Sequence, residues 1–378
     1  MIYLDNAATT PVNPQVAQVI SDSLMNDFAN PSSLYSIGAK CEIAMDKARE
    51  YIAGCIGAKS SELYFTSCAS ESNNIAIYGL ALARKNWGKK VITTGYEHPA
   101  VRHPFEFLGE MGFEVVEVNP DKNGIVDENA ILDAVDSKTC LVSLIHVNNE
   151  TGAKIDIEKL TARIKEKNPR TAIHIDAVQS FMKYPLDVKK LKIESLSFSA
   201  HKINGPKGIG GLYLRQGTNI KPVFLGGGQE RGLRAGTENI HYIKGLAKAC
   251  ELLKPNLMAN LRHYAQLRAQ LLKGLEEFDN VVINSPENGA PYTLNISFTG
   301  YRSETLLHFL DSKGICVSSG SACSKGSRSH TLTVMKLPAD RIDSSLRISF
   351  GVQNTADDVD ALLAALKEAK EKLQKVKR

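Results

Sequence analysis

No stretch of this chain approaches the ~20 consecutive apolar residues that span a bilayer, so a membrane-spanning helix is excluded. The opening residues, MIYLDNAATTP, lack both the basic n-region and the apolar h-region of a secretory leader, and a cytoplasmic location is expected. Cys41, Cys55, Cys68, Cys140, Cys250, Cys316 and Cys323 are scattered and form no CxxC pair. Neither a zinc site nor a disulfide framework is suggested, and most of these thiols are expected as small buried apolar groups. Internal repeats and low-complexity tracts are also lacking. The positive excess is only +5 over 378 residues, which suits ordinary surface composition and singles out no nucleic acid. What is present is a globular composition, 43% hydrophobic and 23% charged, on a chain too long for one small core. One large domain and a smaller one are expected.

Short β-branched runs alternate with longer helical patterns. VITTG (91–95), FEVVEVN (113–119), CLVSLIHV (140–147), AIHIDA (172–177) and SLSFS (195–199) read as strands, with helical spacing over 100–112, 127–136 and 156–168. Such alternation predicts an α/β domain around a mainly parallel sheet, whose ligands lie beyond the carboxyl ends of the strands. His98, Asn149, Asp176 and Lys202 stand at those ends. After GLYLRQG (211–217) and a glycine-rich stretch (224–239), one long helical pattern runs from about 240 to 277. A second strand set, VVIN (281–284), YTLNISF (292–298), ICVSS (315–319) and SLRISF (345–350), predicts an α+β domain. An amphipathic helix then runs from about Thr355 to the end.

In SFSAHKINGPKGIGGLYL a strand ends in small polar residues, followed by His201, Lys202 and a glycine-rich turn. A lysine that forms an imine must lose its proton near neutral pH, and partial burial beside cationic neighbours does this. A surface turn with incidental lysines explains the segment equally well. Asp176 ends the strand AIHID, 26 residues before Lys202, and both fall at one edge of the sheet. A carboxylate there can keep a pyridine nitrogen protonated, or simply cap the next helix. Cys323 lies in SSGSACSKGSRSH, a Ser- and Gly-rich run with Lys325, Arg328 and His330 nearby. Positive neighbours favour the thiolate, so Cys323 reads as a nucleophile or as an incidental thiol. Cys316, among apolar strand residues, is expected to be inert.

TTGYEHPAV, HVNNETG, HIDAVQS, SFSAHKINGPKGIGGLY, GGGQERGLRAGTEN and SSGSACS, in this order, resemble the cysteine desulfurases of the NifS/IscS type. These are class V aminotransferase-like enzymes of fold-type I that use pyridoxal 5'-phosphate. The likeness runs from YLDNAATTP at residue 3 to SSLRISFG at residue 351. It implies a large domain (15–255) with a seven-stranded sheet, and a small α+β domain (1–14 and 256–378) that carries the Cys323 loop. It also implies that Lys202 bonds to the cofactor, Asp176 holds its ring nitrogen and Gln179 its ring hydroxyl. His98 stacks on the ring and helps move protons. Ser199, His201 and Ser70 hold the phosphate, with Ala69 also against the cofactor, and Thr237 reaches the phosphate of a neighbouring subunit in a homodimer. Asn149 and Arg347 grip the substrate carboxylate, for which the guanidinium fork is suited. The substrate is L-cysteine, the products are alanine and a persulfide on Cys323, and the sulfur passes to an acceptor protein. Neither a membrane nor direct nucleic-acid binding is expected.

Cys68 and Ser70 replace the usual glycine and threonine of that pattern. Cys68 is expected as a packing variant. The chain ends soon after its last helix, which puts docking of an iron–sulfur scaffold in doubt and makes a tRNA-thiolating acceptor a reasonable rival. A selenocysteine lyase or other β-lyase of the same fold, and a cofactor-free thiol scaffold, are the competing readings.

Overall fold

The computed structural model describes residues 1–319 and 328–375. Among them, twelve strands occur. They are β1 (Ile2–Tyr3), β2 (Leu63–Thr66), β3 (Lys90–Thr94), β4 (Glu114–Val118), β5 (Thr139–Ile145) and β6 (Ala172–Asp176). There follow β7 (Ser195–Ser199), β8 (Gly210–Leu214), β9 (Val281–Ile283), β10 (Thr293–Phe298), β11 (Ile315–Cys316) and β12 (Ser345–Ser349). Seven of them form one sheet in the order β2-β8-β7-β6-β5-β3-β4. All its pairings are parallel except the two made by β8. The fold is therefore the α/β fold-type I arrangement expected from the alternation of elements.

Side chains alternate across this sheet, and both faces are covered, so neighbouring residues along a strand are both apolar. Ile92, Val142 and Tyr213 enter one hydrophobic cluster, while Val91, Leu141 and Leu212 enter another on the opposite face. Burying each such Leu, Ile or Val contributes about 1.5–3 kcal/mol. The flanking helices carry legible signals. Asp156 caps the helix Ile157–Lys167 through its side chain, Ile157, Leu160 and Ile164 face the core, and Lys165 and Lys167 suit its carboxyl end.

Two expectations need correction. The pattern over 240–277 is two helices, Ile240–Leu253 and Leu257–Leu275, separated by a 3-10 turn, Lys254–Asn256. Pro255 supplies no N–H and clashes with the preceding turn, which ends the first helix. The last helix stops at Lys372. Strand β2 was not expected from the sequence; four residues are too few to display a period. Beyond these helices, β12, β10 and β9 form an antiparallel sheet. Leu294, Ile296, Leu346 and Ile348 pack there with Leu271 and Leu362 in a separate core that also takes Leu4.

A buried ion pair ties three distant segments together. Glu230 accepts from Arg49 at 2.7 and 2.8 Å and from the Phe65 N–H at 2.9 Å. The Arg49 guanidinium also lies 4.5 Å over the Phe65 ring. Removing one partner leaves an uncompensated buried charge, so Glu230→Ala is expected to cost about 3–5 kcal/mol in urea denaturation. The exposed pair Lys248–Glu251 is the contrast: Glu251→Ala is expected to change stability by less than about 1 kcal/mol.

Candidate active site

Because β3, β5, β6 and β7 run parallel, their carboxyl ends share one edge. Glu97 and His98 follow β3, Asn148 to Glu150 follow β5, Asp176 ends β6, and Ser199 ends β7 before the turn Ala200–Lys202. This is where open α/β sheets place ligands.

Asp176 is 2% exposed, and its oxygens accept from neutral donors, Asn73 Nδ2 and the Val178 N–H, both at 2.9 Å. Burial raises its proton affinity; the hydrogen bonds and the positive charge of Lys202 oppose that rise. Asn73 is fixed in turn. Its Oδ1 accepts from Ser197 and from His174 Nε2, and His174 Nδ1 accepts from Ser195. These bonds leave the Asn73 NH2 group to face the carboxylate. Neither Asn73 nor His174 was singled out from the sequence. A buried asparagine on a helix and a histidine in the middle of an apolar strand were the available signals.

Lys202 Nζ donates to the carbonyls of Ala7 and Ala8 at 2.6 and 2.7 Å. Gln179 Nε2 donates to the same Ala7 carbonyl at 2.9 Å, and the His201 ring meets Thr9 Oγ1 at 3.2 Å. His98 caps the helix Pro99–Glu110, its Nδ1 accepting from the Ala100 N–H at 3.1 Å, so the neutral ring carries its proton on Nε2. Burial, then the charge of Lys202, pushes His98 down to about 4. His201 is also pushed to about 4, by burial and then by Lys202.

The helix Ala69–Arg84 begins at the same edge after β2, with no side-chain cap from Cys68. Ser70 lies exposed in its first turn. Strand β8 passes so close that a Cβ on Gly210 would stand 2.7 Å from the Cys68 carbonyl carbon and 3.0 Å from the Ala69 nitrogen. Only glycine permits that approach. A flat phosphorylated pyridine suits this donor set. The uncapped helix start offers N–H groups to a phosphate, and a ring N–H⁺ would offset the burial of Asp176. Gln179 Oε1 and Ser199 Oγ are buried without a hydrogen-bond partner among the described residues.

Arg347 lies inward on β12, with Nη2 on Asp5 Oδ1 at 2.7 Å and Nη1 on the Asn149 carbonyl at 3.0 Å. Its Nε is buried without a partner among the described residues. Asn148 is the turn residue of the asparagine pair: its Oδ1 accepts from the N–H groups of Glu150 and Thr151. Lys202, Asp176, Gln179, Ser199, His201, His98, Asn149 and Arg347 thus gather around the carboxyl edge and residues 5–10. Thr237 is exposed, and Cys323 lies outside the described residues.

Residues 2–362 match the aminotransferase class-V family. The cysteine desulfurase IscS of Methanosarcina thermophila is 41% identical over 376 residues, covering 99% of this chain and 93% of that protein. A NifS-like protein of known structure superposes with a TM-score of 0.93 at 37% identity, covering 98% of this chain and all of the other. A structure described as SspA in complex with cysteine gives 0.82 at 35% identity, over 93% and 99% of the two chains.

Burial alone pushes His174 down to about 3. An unfolded histidine takes up a proton below about 6.5. Between those values the unfolded chain binds more protons than the native one, so the stability contributed by His174 is complete above about 6.5 and shrinks as pH falls. The stability difference between the wild type and His174→Gln is therefore expected to be largest above pH ~7. It should narrow toward pH ~4 by up to about 1.4 kcal/mol per pH unit, measured by urea denaturation at each pH.

Proposed function

The chain belongs to the aminotransferase class-V family and, within it, to the cysteine desulfurases, and we propose that it releases the sulfur of L-cysteine onto Cys323, leaving L-alanine. The observation that carries this reading is the pairing of Asp176, buried and held by the neutral donors Asn73 Nδ2 and the Val178 N–H, with Lys202 at the next strand end. Pyridoxal phosphate, the cofactor of this family, supplies an electron sink for the charge left when the α-proton of an amino acid is removed.

Lys202 would bond to the cofactor, and its amine when free is placed to take the α-proton. His98 is suited to stacking and to donating from Nε2, because its Nδ1 is already engaged. Asp176 keeps the ring nitrogen protonated, and Gln179 serves the ring hydroxyl. Ser199, His201, Ser70 and the Ala69 N–H hold the phosphate. Arg347 and Asn149 orient the substrate carboxylate, which the Nε of Arg347, unpartnered among the described residues, supports. The Cys323 thiolate then attacks the substrate sulfur: an S–S bond forms, the Cβ–Sγ bond breaks, and Cβ takes up a proton as alanine leaves.

The protein works as a homodimer in the cytoplasm. Thr237, exposed on its own chain, serves the phosphate of the partner subunit. The division into 15–255 and 1–14 with 256–378 accords with the separate core around β10 and β12. The sulfur passes to an acceptor protein, either an iron–sulfur scaffold or a tRNA-thiolating enzyme. No helix among the described residues is long and apolar enough to cross a membrane.

Mass spectrometry after treatment with L-cysteine is expected to find one added sulfur atom on Cys323. Cys323→Ala should keep the visible absorption of the bound cofactor but gain no sulfur. Full release of free sulfide by that variant would favour a β-lyase instead. Lys202→Ala should lose turnover by about 10³-fold or more.

A further inference from the structure

A second lysine stands beside the first and has no part in the roles above. Lys183 is only 8% exposed. It follows Met182, whose φ of 56° is a left-handed conformation that a residue with a side chain keeps only when its surroundings impose it. The Lys183 ammonium lies 4.6 Å from the centre of the Tyr292 ring, and it makes no ion pair among the described residues. Lys183 and Lys202 line the same small cavity, of about 10 Å³, together with Thr10, Tyr264 and Phe350.

Lys183 faces Lys202 on the turn after β7 and Arg347 on β12, and no carboxylate among the described residues pairs with it; burial first, then these two cations, pushes it down to about 7. Lys202 faces Asp176, which attracts it, and His98 and His201, which are neutral at neutral pH. The carbonyls of Ala7 and Ala8 favour its protonated form. The repulsion of Lys183 opposes that preference, and repulsion between two ammonium groups is reciprocal.

We propose that Lys183 is a positioning residue for the known reaction: its buried charge lowers the proton affinity of the Lys202 nitrogen and so keeps that nitrogen available to the cofactor and to the substrate's α-proton. A neighbouring cation is a general way of activating an amine. This inference rests on Lys202 being the lysine that bonds to the cofactor.

The test is a pH titration of the visible absorption band of the cofactor-loaded protein, in the wild type and in Lys183→Met, Lys183→Gln and Lys183→Arg. Circular dichroism and a thermal melt establish that each variant is folded. The band midpoint is expected to rise by about one pH unit, a tenfold gain in proton affinity, in whichever neutral variants fold. It should stay within about 0.3 unit of the wild type in Lys183→Arg, where a charge remains. An unmoved midpoint in the neutral variants overturns the inference, as does an equal rise in Lys183→Arg, which would make the effect one of packing. Failure of the wild type to develop any visible band when loaded would instead sink the assignment of Lys202, and the inference with it.

Discussion

A carboxylate buried at a strand end constrains everything near it. Asp176 is held by donors that lower the cost of its charge without neutralising it. The low dielectric that makes burial costly also makes a cationic partner effective there. The layer beneath serves this arrangement. Ser195, His174, Ser197 and Asn73 form a chain in which each donor has one acceptor, so the Asn73 amide has only one satisfactory orientation. A flipped amide would set its oxygen against the carboxylate and turn its NH2 toward the ring N–H of His174. The network therefore fixes the side of the site on which a positive group is favoured.

The N-terminal strand joins that side to the other. Ala7 and Ala8 receive Lys202, while Asp5, two residues earlier, receives Arg347. The strand is itself pinned. The Asn6 side chain donates to the Ser349 carbonyl at 2.9 Å, the Ala7 N–H donates to Ser349 Oγ at 2.8 Å, and Leu4 is fully buried in the second core. A shift of β12 against the central sheet must therefore be felt by both the lysine and the arginine. Asp5 also offsets the burial of the Arg347 guanidinium, whose side chain is 4% exposed. A carboxylate ligand approaching this arginine meets an ion pair rather than a bare cation, which moderates its attraction and leaves geometry to select it.

Much of this was legible in the sequence because short β-branched runs and terminal polar residues coincide at β3, β5, β6 and β7. SLSFS matches β7 residue for residue, and AIHID ends at Asp176 as expected. The resemblance of six ordered motifs supplied roles that spacing alone could not, since Asp176 taken alone reads better as a helix cap. What escaped notice depends on contacts distant in sequence. Asn73 lies 103 residues from Asp176, and Asp5 lies 342 from Arg347. Nothing local marks either residue as a partner. Lys183 escaped for a different reason: a lysine in FMKYP reads as exposed, and only the left-handed turn at Met182 carries it inward. The helix break at Pro255 was visible in the sequence but was outweighed by the apolar spacing on both sides.

Long-range bonds of the same kind hold the described residues on either side of 320–327. Ser318 and Arg347 exchange backbone hydrogen bonds at 3.1 and 2.7 Å, fixing one end of the segment that carries Cys323 to the arginine strand. At the other end, Ser329 donates to Glu150 at 2.5 Å, His330 meets the Gly95 carbonyl at 2.9 Å, and Arg328 pairs with Asp343 at 2.7 and 2.8 Å. Burial raises the proton affinity of Glu150, and the Ser329 hydroxyl opposes this, so the anchor is sensitive to what packs around it. Glu150 adjoins Asn149, whose carbonyl already holds Arg347. Both anchors are thus set by the residues that would grip a substrate carboxylate.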